Sequence, residues 1–306
     1  MNWLRPWFSG SYWRNAFSTG KAVRSSLEAL GALWLVIEVV SFFSQNAANT
    51  LKAQWLSFVA ISLLWTIWAN RPIHQVSHRL NGRDVIIEIR VGDIFKMRGS
   101  IVVPTNRTFD TELSTNLISP RSIQGAFTKK YYDNTAHLDH DIESALEGVD
   151  WEEECNEKIG KRRLYPVGTC IKLTAQGVSS YWLAIAKLNN HGRAQGTVED
   201  IRTSLPILWN YVSEMGDYGT VLIPVIGSGY SRIVRSREEI IREILKSFVA
   251  ACAARKPCEK LAIVVSFSDY YDYAMSLEEL GGYLMHLCKY NIFEDNEGHA
   301  QGSPIS

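Results

Sequence analysis

The sequence contains few cysteines and no cysteine motif. Its five cysteines are odd in number, and no two of them stand at the CxxC spacing of zinc and redox sites. Cys252 falls on the apolar face of a predicted helix, where a thiol behaves as a small hydrophobic group. We interpret all five as structural thiols in a reducing compartment.

Motifs for nucleotide hydrolysis and acyl transfer are also absent. The chain has no Walker loop, no GxSxG elbow and no Cys/His pair. Two histidine groups have the character of metal ligands but lack a third ligand at a suitable spacing, so we interpret both as surface residues and predict no metal and no cofactor. They are His74 with His78, and His137 and His140 with Asp139 and Asp141.

The chain has no net charge, but its charges are unevenly distributed. Residues 1–80 carry seven Lys or Arg and two acidic residues, a net charge of +5, so the remainder carries −5. Seven of the ten tryptophans lie in the first 70 residues. This segregation predicts two regions in different solvents, and the mildly acidic remainder gives no electrostatic reason to expect nucleic acid.

Two long apolar segments near the N-terminus predict a transmembrane helical hairpin. Residues 26–44 and 51–70 are apolar on all faces, and a 19-residue helix spans about 28 Å, close to the thickness of a bilayer core. Trp55, Trp65 and Trp68 fall near the ends of the second segment, where indole rings favour the headgroup level. A signal peptide is the alternative for the first segment, but it lacks a small-residue cleavage site and a second span follows at once.

Charged residues around the hairpin predict its orientation. Basic residues flank both outer ends, whereas the connecting loop offers only Lys52, so both termini are expected in the cytoplasm. Glu38 lies about six residues from the end of the first span, where a charge is costly. It either lines a polar seam between subunits or reaches the outer interface, and the sequence leaves both alternatives open.

The rest of the chain has the pattern of an α/β domain. β-branched runs predict strands at residues 85–91, 100–105, 169–174, 180–188, 220–226 and 261–267. Amphipathic stretches predict helices at 197–216 and 236–256, with a further helix near 139–147. This alternation indicates a mixed or parallel sheet between helix layers, with ligands at the carboxyl ends of the strands. The predicted organisation is a cytoplasmic segment (1–25), the hairpin (26–70), a linker (71–83), the α/β domain (84–290) and a disordered tail (291–306).

Three motifs at predicted strand ends have the chemistry of a nucleotide site. Asp93 follows the first strand, and its carboxylate is placed to accept hydrogen bonds from an amino group of a bound ring. Asn106 ends the next strand with an amide that both donates to and accepts from ribose hydroxyls. Residues 227–230 form a loop whose glycines let backbone N–H groups converge on a diphosphate. Taken singly, the Gly-Asp and Gly-Ser-Gly motifs are also common in turns.

In this order and spacing, the three motifs resemble the macro domain, a three-layer α/β/α fold that binds ADP-ribose, over residues 83–277. The resemblance implies that Asp93, with Ile94 beside it, contacts the adenine amino group and that Asn106 contacts the distal ribose. The glycine run that follows this Asn in macro domains is absent, and we align residues 122–126 to that phosphate loop. The implied phosphate contacts are Ser122, Gln124 and Gly125 in this loop, and Gly227, Ser228, Gly229 and Tyr230 in the other.

The two-span hairpin followed by the VPTN and SIQGAF segments resembles the membrane effectors of type II Thoeris anti-phage systems. The resemblance implies a multi-pass protein of the bacterial inner membrane. It also implies a TIR-domain partner that consumes NAD and makes ADP-ribose conjugated to histidine. The macro domain would bind this signal, after which the protein forms homo-oligomers and disrupts the membrane.

Three functions remain open on the sequence. The leading hypothesis is a signal-gated membrane effector without enzymatic activity. The alternatives are a membrane-tethered ADP-ribosyl hydrolase and a passive anchored reader of ADP-ribosylated proteins. Asp110 is the candidate general base of a hydrolase, but a role in a turn or a helix N-cap is favoured, and the missing glycine run argues against efficient catalysis.

Overall fold

A computed structural model describes residues 20–71, 73–113, 117–155, 160–189, 194–227, 236–273 and 275–290 of the 306-residue chain. The chain divides into two compact units. One consists of Met1–His74 with Ser268–Met275, and the other of Gln75–Phe267 with Ser276–Ser306. The predicted tail (291–306) and most of the predicted N-terminal segment lie outside the described residues.

The first unit contains three helices before the sheet begins: α1 (Lys21–Phe43), α2 (Gln45–Ala53) and α3 (Trp55–Ala69). Among the described residues, α1 alone is long and apolar enough to cross a membrane, since its 23 residues extend about 34 Å. The second predicted span is broken at Gln54, where α2 and α3 meet at 66°, and the two helices pass the same test only as a bent pair. The predicted polar loop between the spans is itself helical, because Ser44 caps the N-terminus of α2.

Polar side chains join α1 to α3. The hydroxyls of Ser26 and Thr66 are 2.7 Å apart, and Ser62 donates to the carbonyl oxygen of Ser26 at 3.0 Å. Ser62 and Thr66 are buried, whereas large apolar side chains such as Trp34 and Trp65 are exposed. A helix pair with its polar groups inside and its apolar groups outside suits a hydrocarbon solvent, in which hydroxyls need protein partners.

The second unit is built on an eight-stranded mixed sheet. Its strands are β1 (Gln75–Arg79), β2 (Ile86–Val91), β3 (Ser100–Asn106), β6 (Cys170–Ala175), β7 (Val178–Leu188), β8 (Ala194–Gln195), β9 (Thr220–Pro224) and β10 (Lys260–Val265), while β4 (Glu153–Glu154) and β5 (Arg163–Leu164) form a separate pair. The order is β1-β2-β10-β9-β3-β7-β6, with β8 beside β7. Strands β2, β10, β9, β3 and β7 are parallel, and β1 and β6 run antiparallel to their neighbours.

Helices cover both faces of this sheet. On one face, α4 (Ile123–Tyr131) and α5 (Thr135–Ala145) bury Phe127, Leu138 and Ile142 in a core with Trp182. The other layer contains α6 (Val198–Met215), α7 (Arg237–Ala254) and α9 (Leu277–Tyr290), each with a buried apolar stripe. A shorter helix, α8 (Phe267–Asp272), follows β10 and lies mostly in the first unit. The predicted three-layer α/β fold with a mixed sheet is therefore confirmed.

In the second unit, the predicted strands and the helices predicted at 197–216 and 236–256 are found within two residues of their predicted bounds. Residues 75–79, assigned to a linker, instead form β1 at the edge of the sheet. The helix expected near residues 139–147 is α5, which begins four residues earlier, and α4, α8 and α9 were not predicted. Strand β1 has a weak apolar pattern, so its position depends on contacts with the rest of the fold.

Candidate functional site

The carboxyl ends of the five parallel strands form one edge of the sheet. The chain leaves this edge at Gly92 after β2, at Asn106 after β3 and at Gly227 after β9. The N–H of Gly92 donates to the carbonyl oxygen of Val265, the last residue of β10, at 2.9 Å. The edge therefore brings together the strand ends that carry Asp93, Asn106 and Gly227, as parallel topology predicts.

Asp93 presents a partly free carboxylate at this edge. It caps a single 3₁₀ turn, Ile94–Lys96, by accepting a hydrogen bond from Phe95 N at 3.0 Å through Oδ1. Its side chain is 41% exposed, and Oδ2 lies 3.9 Å from Lys96 Nζ. The carboxylate thus keeps acceptor capacity for a ligand donor. Ile94, predicted to contact the ligand, has its side chain buried in the core and leaves its backbone for that role.

Asn106 has an amide with one satisfied and one unsatisfied side. Its Oδ1 accepts from Thr108 N at 3.0 Å and Asp110 N at 3.2 Å, and it lies 2.8 Å from Thr108 Oγ1, whose one proton goes to the closer Asp110 carboxylate. Its Nδ2 is buried and has no hydrogen-bond partner in the described part of the chain, although the residue is only 4% exposed. A buried amide donor without a partner costs about 1–3 kcal/mol, which a ligand oxygen would recover.

The backbone around Asn106 is unusual in two ways. Thr105 lies opposite Ala184 and Asn106 opposite Ala186, so β7 carries an extra residue at this point. Bulges of this kind re-aim side chains and are common beside functional sites. Phe109 has a φ of 51° and a fully buried side chain, a conformation that a bulky residue adopts only when its surroundings impose it.

Asp110, the candidate general base, is only 1% exposed. Its Oδ2 accepts from the hydroxyl of Thr108, and its Oδ1 accepts from Lys161 N at 2.7 Å. Gly160 approaches so closely that an added Cβ would lie 2.2 Å from Asp110 Oδ1. Both carboxylate oxygens thus hold the protein's own groups, which fits the structural role that sequence analysis favoured.

The segment aligned to the other phosphate loop forms the start of α4. Ser122 is its N-cap, accepting from Gly125 N at 3.0 Å and donating to Ser119 O at 2.7 Å. Gln124 is buried and donates to Asp110 O through Nε2, while its Oε1 accepts from Thr105 at 3.2 Å. Both side chains are hydrogen-bonded to other groups of the protein. An anion at this segment would therefore bind to the backbone N–H groups at the N-terminus of α4.

Two glycines at the candidate phosphate loops have different roles. Gly125 is required by space, because a Cβ there would lie 2.2 Å from the carbonyl oxygen of Ser119. Gly227 has a φ of 74°, the left-handed conformation that turns successive N–H groups to one side. Ser228, Gly229 and Tyr230 lie outside the described residues.

The structure also identifies features that sequence analysis did not single out. Phe267 begins α8 immediately beyond β10, at the same edge as Asp93. Its position directly after the apolar run LAIVVS could have predicted that it lies at this edge. Lys130 donates to Phe95 O at 2.6 Å and lies 5.6 Å from the Phe95 ring centroid, next to the Asp93 turn. Within the described ranges, no group of three or more His, Cys, Asp or Glu could hold a metal ion.

A family model described as "Thoeris protein ThsA, Macro domain" matches residues 87–266. The chain belongs to this family. The Thoeris protein ThsA of Bacillus amyloliquefaciens (strain Y2) is 26% identical to it over 208 residues, which cover 65% of this chain and 67% of that protein.

Two solved macrodomains show weaker similarity to this ThsA-type chain. An Oceanobacillus iheyensis macrodomain mutant with ADPR gives a TM-score of 0.46 at 18% identity, over 67% of this chain and 98% of the other. The Trypanosoma brucei macrodomain in complex with ADP-ribose gives a TM-score of 0.42 at 8% identity, over 65% and 75% of the two chains.

The ThsA macro domain match runs from β2 to the residue after β10. Asp93, Asn106 and Gly227 all lie inside it, whereas α1, α2, α3, β1, α8 and α9 lie outside. The match to the family is thus carried by the central sheet and its edge, and the N-terminal helices have to be interpreted on their own physical properties.

Proposed function

We propose that this protein is a membrane effector of an anti-phage Thoeris system. Its macro domain binds an ADP-ribose-type signal, and binding causes the chains to associate and disrupt the bacterial inner membrane. The signal is ADP-ribose conjugated to histidine, made by a TIR-domain partner that consumes NAD. The protein is multi-pass with both termini in the cytoplasm, and it uses no metal or cofactor. Family membership and the apolar helix α1 support this combination.

The observation that carries the proposal is the orphan amide of Asn106. A donor that is buried yet unpaired among the described residues is best explained by a partner that arrives with the ligand. A ribose hydroxyl suits it, because hydroxyl oxygens accept from an amide N–H. Asp93, after β2 at the same edge of the sheet, supplies the acceptor that an adenine amino group needs, and Gly227 begins the loop proposed to hold the diphosphate.

The same site argues for binding without turnover. A general base must reach a proton of water or substrate, but both oxygens of Asp110 are occupied by Thr108 and Lys161 in a position that is 1% exposed. Binding alone is sufficient for a device that works by assembly. The ligand must then bind the assembled form more tightly, by about 5.5 kcal/mol to convert 1% assembled into 99% in a two-state scheme.

Small residues on the outside of the helical hairpin support association between copies. Gly31 and Ala32 on α1 and Ser57 on α3 are exposed, and a Cβ at Gly31 would meet nothing within 4 Å. Such residues allow close approach of helices in a membrane. Ser62, another candidate for contacts between copies, is instead used inside the hairpin, where it donates to Ser26.

The proposal is tested with full-length protein reconstituted in dye-loaded vesicles. Addition of ADP-ribose, or of its histidine conjugate, should release dye and increase oligomer size, while the ligand is recovered chemically unchanged. Binding without leakage would favour the passive reader. Steady hydrolysis of the ligand with intact vesicles would instead show that the protein is a hydrolase and that the effector proposal is wrong.

A further inference from the structure

The helix that follows β10 is fastened to the segment that precedes β1. Tyr270 on α8 is only 2% exposed, and its hydroxyl donates to the carbonyl oxygen of Ile73 at 2.9 Å. The hydroxyl of Tyr271 is hydrogen-bonded to His74 Nε2 at 2.9 Å, and the His74 ring centroid lies 5.8 Å from that of Tyr270. These contacts explain why Ser268–Met275 belongs to the same compact unit as the membrane hairpin.

The fastened segment is short. Only residues 70–74 separate the end of α3 at Ala69 from the start of β1 at Gln75. Ile73 and His74 are both held by α8, so little free chain remains to absorb a displacement. A displacement of α8 is therefore passed to the end of α3 at Ala69, because the connecting segment is too short to absorb it as a long flexible linker would.

The other end of α8 is connected to the candidate ligand site. The helix begins at Phe267, and one residue separates it from Val265 at the end of β10. The carbonyl oxygen of Val265 accepts from the N–H of Gly92, the residue before Asp93. A ligand that draws the Asp93 turn toward itself thus acts, through one hydrogen bond and two residues of chain, on the start of α8.

We infer that α8 transmits ligand binding to the membrane hairpin, through Tyr270 and Tyr271 and their hydrogen bonds to Ile73 and His74. This inference rests on the proposed function, because it gives the route by which the nucleotide site controls the hairpin. The coupling requires that α8 and the 73–74 segment have two arrangements, of which the ligand prefers one. Loss of the two tyrosine hydroxyls then separates ligand binding from the membrane response.

The test uses the full-length protein in dye-loaded vesicles with ADP-ribose as the probe. The double variant Tyr270→Phe, Tyr271→Phe removes both hydroxyls and keeps both rings. The control is Tyr218→Phe, the same chemical change at a tyrosine that is 58% exposed and precedes β9, at the opposite edge of the sheet. Leakage and the dissociation constant for ADP-ribose are measured on the same preparation.

The double variant should bind ADP-ribose within two-fold of wild type, while the concentration for half-maximal leakage rises about ten-fold, the order expected from losing two hydrogen bonds. The control should match wild type in both. The single variants Tyr271→Phe and His74→Phe remove the same hydrogen bond from either side, so each should raise that concentration equally and their combination no further. They replace the double variant if its melting temperature shows that it fails to fold.

Each remaining outcome overturns a stated claim. If wild type binds ADP-ribose and leaks, and the variants leak at the same concentration, α8 does not transmit the signal and the proposed function stands. If the variants lose binding and leakage in parallel, α8 supports the site and does not couple it to the hairpin. If wild type neither binds nor leaks with ADP-ribose or with its histidine conjugate, the proposed function is wrong and the coupling fails with it.

Discussion

Replacement of Asn106 separates the two roles that the structure gives this side chain. Asn106→Ala removes the oxygen that accepts from Thr108 N and Asp110 N, together with the amide nitrogen that has no partner among the described residues. Asn106→Ser also removes the amide nitrogen, but a serine hydroxyl accepts from the backbone N–H two residues later in the same kind of turn, though more weakly. Both variants therefore lose the Nδ2 donor that is assigned to the ligand, but only the alanine variant loses every hydrogen bond that the side chain accepts in the turn.

The hydrogen bonds give the expected size of each effect. In Asn106→Ala, the N–H groups of Thr108 and Asp110 are left buried and unpaired at about 1–3 kcal/mol each, about 2–6 kcal/mol in total. The left-handed Phe109 between them also loses support. Asn106→Ser keeps one of these hydrogen bonds and should lose about half as much. Because Nδ2 has no partner in the described part of the chain, its removal should not itself lower stability.

The assays are thermal unfolding and calorimetry with ADP-ribose, both on the full-length protein in detergent. At about 2–4 °C per kcal/mol, the alanine variant should melt at least twice as far below wild type as the serine variant. Both should bind ADP-ribose more weakly by the worth of one hydrogen bond, roughly 2- to 13-fold. Wild-type affinity in the folded serine variant would refute the assignment of this amide to the ligand.

Three further predictions concern the second unit. Gly125→Ala should lower the melting temperature by several degrees and impair folding more than Ala126→Gly does, because its Cβ would overlap the Ser119 carbonyl oxygen; equal melting of the two variants would contradict the close approach. Lys260→Met should cost about 1.5–3 kcal/mol in denaturant unfolding, because Glu88 is 2% exposed and loses its close ion pair with Lys260 while Arg90 remains at 3.7 Å, and Glu88→Leu added to Lys260→Met should recover most of it. At pH 8, maleimide should label the native protein once, at the half-buried Cys155, and the denatured protein five times, because burial raises the pKa of Cys252 and Cys258 to about 12 and that of Cys288 to about 11. Rapid labelling of a second thiol in the native protein would contradict this.

The central strands were predictable because each is a continuous β-branched run that both helix layers bury. Strand β1 was not, since only Val76 of its five residues is an aliphatic residue, and that side chain packs against Gly281 of α9, more than 200 residues away in the sequence. Helix α4 escaped prediction for a related reason. Its buried face includes Gln124, Gly125 and Thr128, which give no apolar stripe for sequence periodicity to detect.

The positions of the site residues could be predicted, but their hydrogen bonding could not. That Asp93 and Asn106 lie at the same edge of a parallel sheet follows from the pattern of strands. Which atom of the Asn106 amide remains unpaired depends on the turn through Phe109, whose left-handed backbone no local sequence signal indicates. The assignment of Asp110 likewise depends on Lys161, 51 residues later, whose N–H occupies one of its oxygens.

The geometry of the hairpin bears on the two alternatives left open for Glu38. Contacts of Ser26 with Ser62 and Thr66 fix the register of α1 against α3, which runs in the opposite direction. Counting along both helices from these contacts places Trp55, the first residue of α3, level with about residue 35 of α1. Glu38 thus lies beyond the start of α3, at the level of the polar helix α2. With 15 residues, α3 extends about 22 Å, less than a bilayer core of about 30 Å, so in the proposed membrane hairpin the polar residues of α2 lie beside Glu38, although α1 continues with exposed apolar side chains such as Phe42. A carboxylate there reaches water over a short distance, which favours the outer interface over a seam between subunits and leaves Gly31, Ala32 and Ser57 as the residues for contacts between copies.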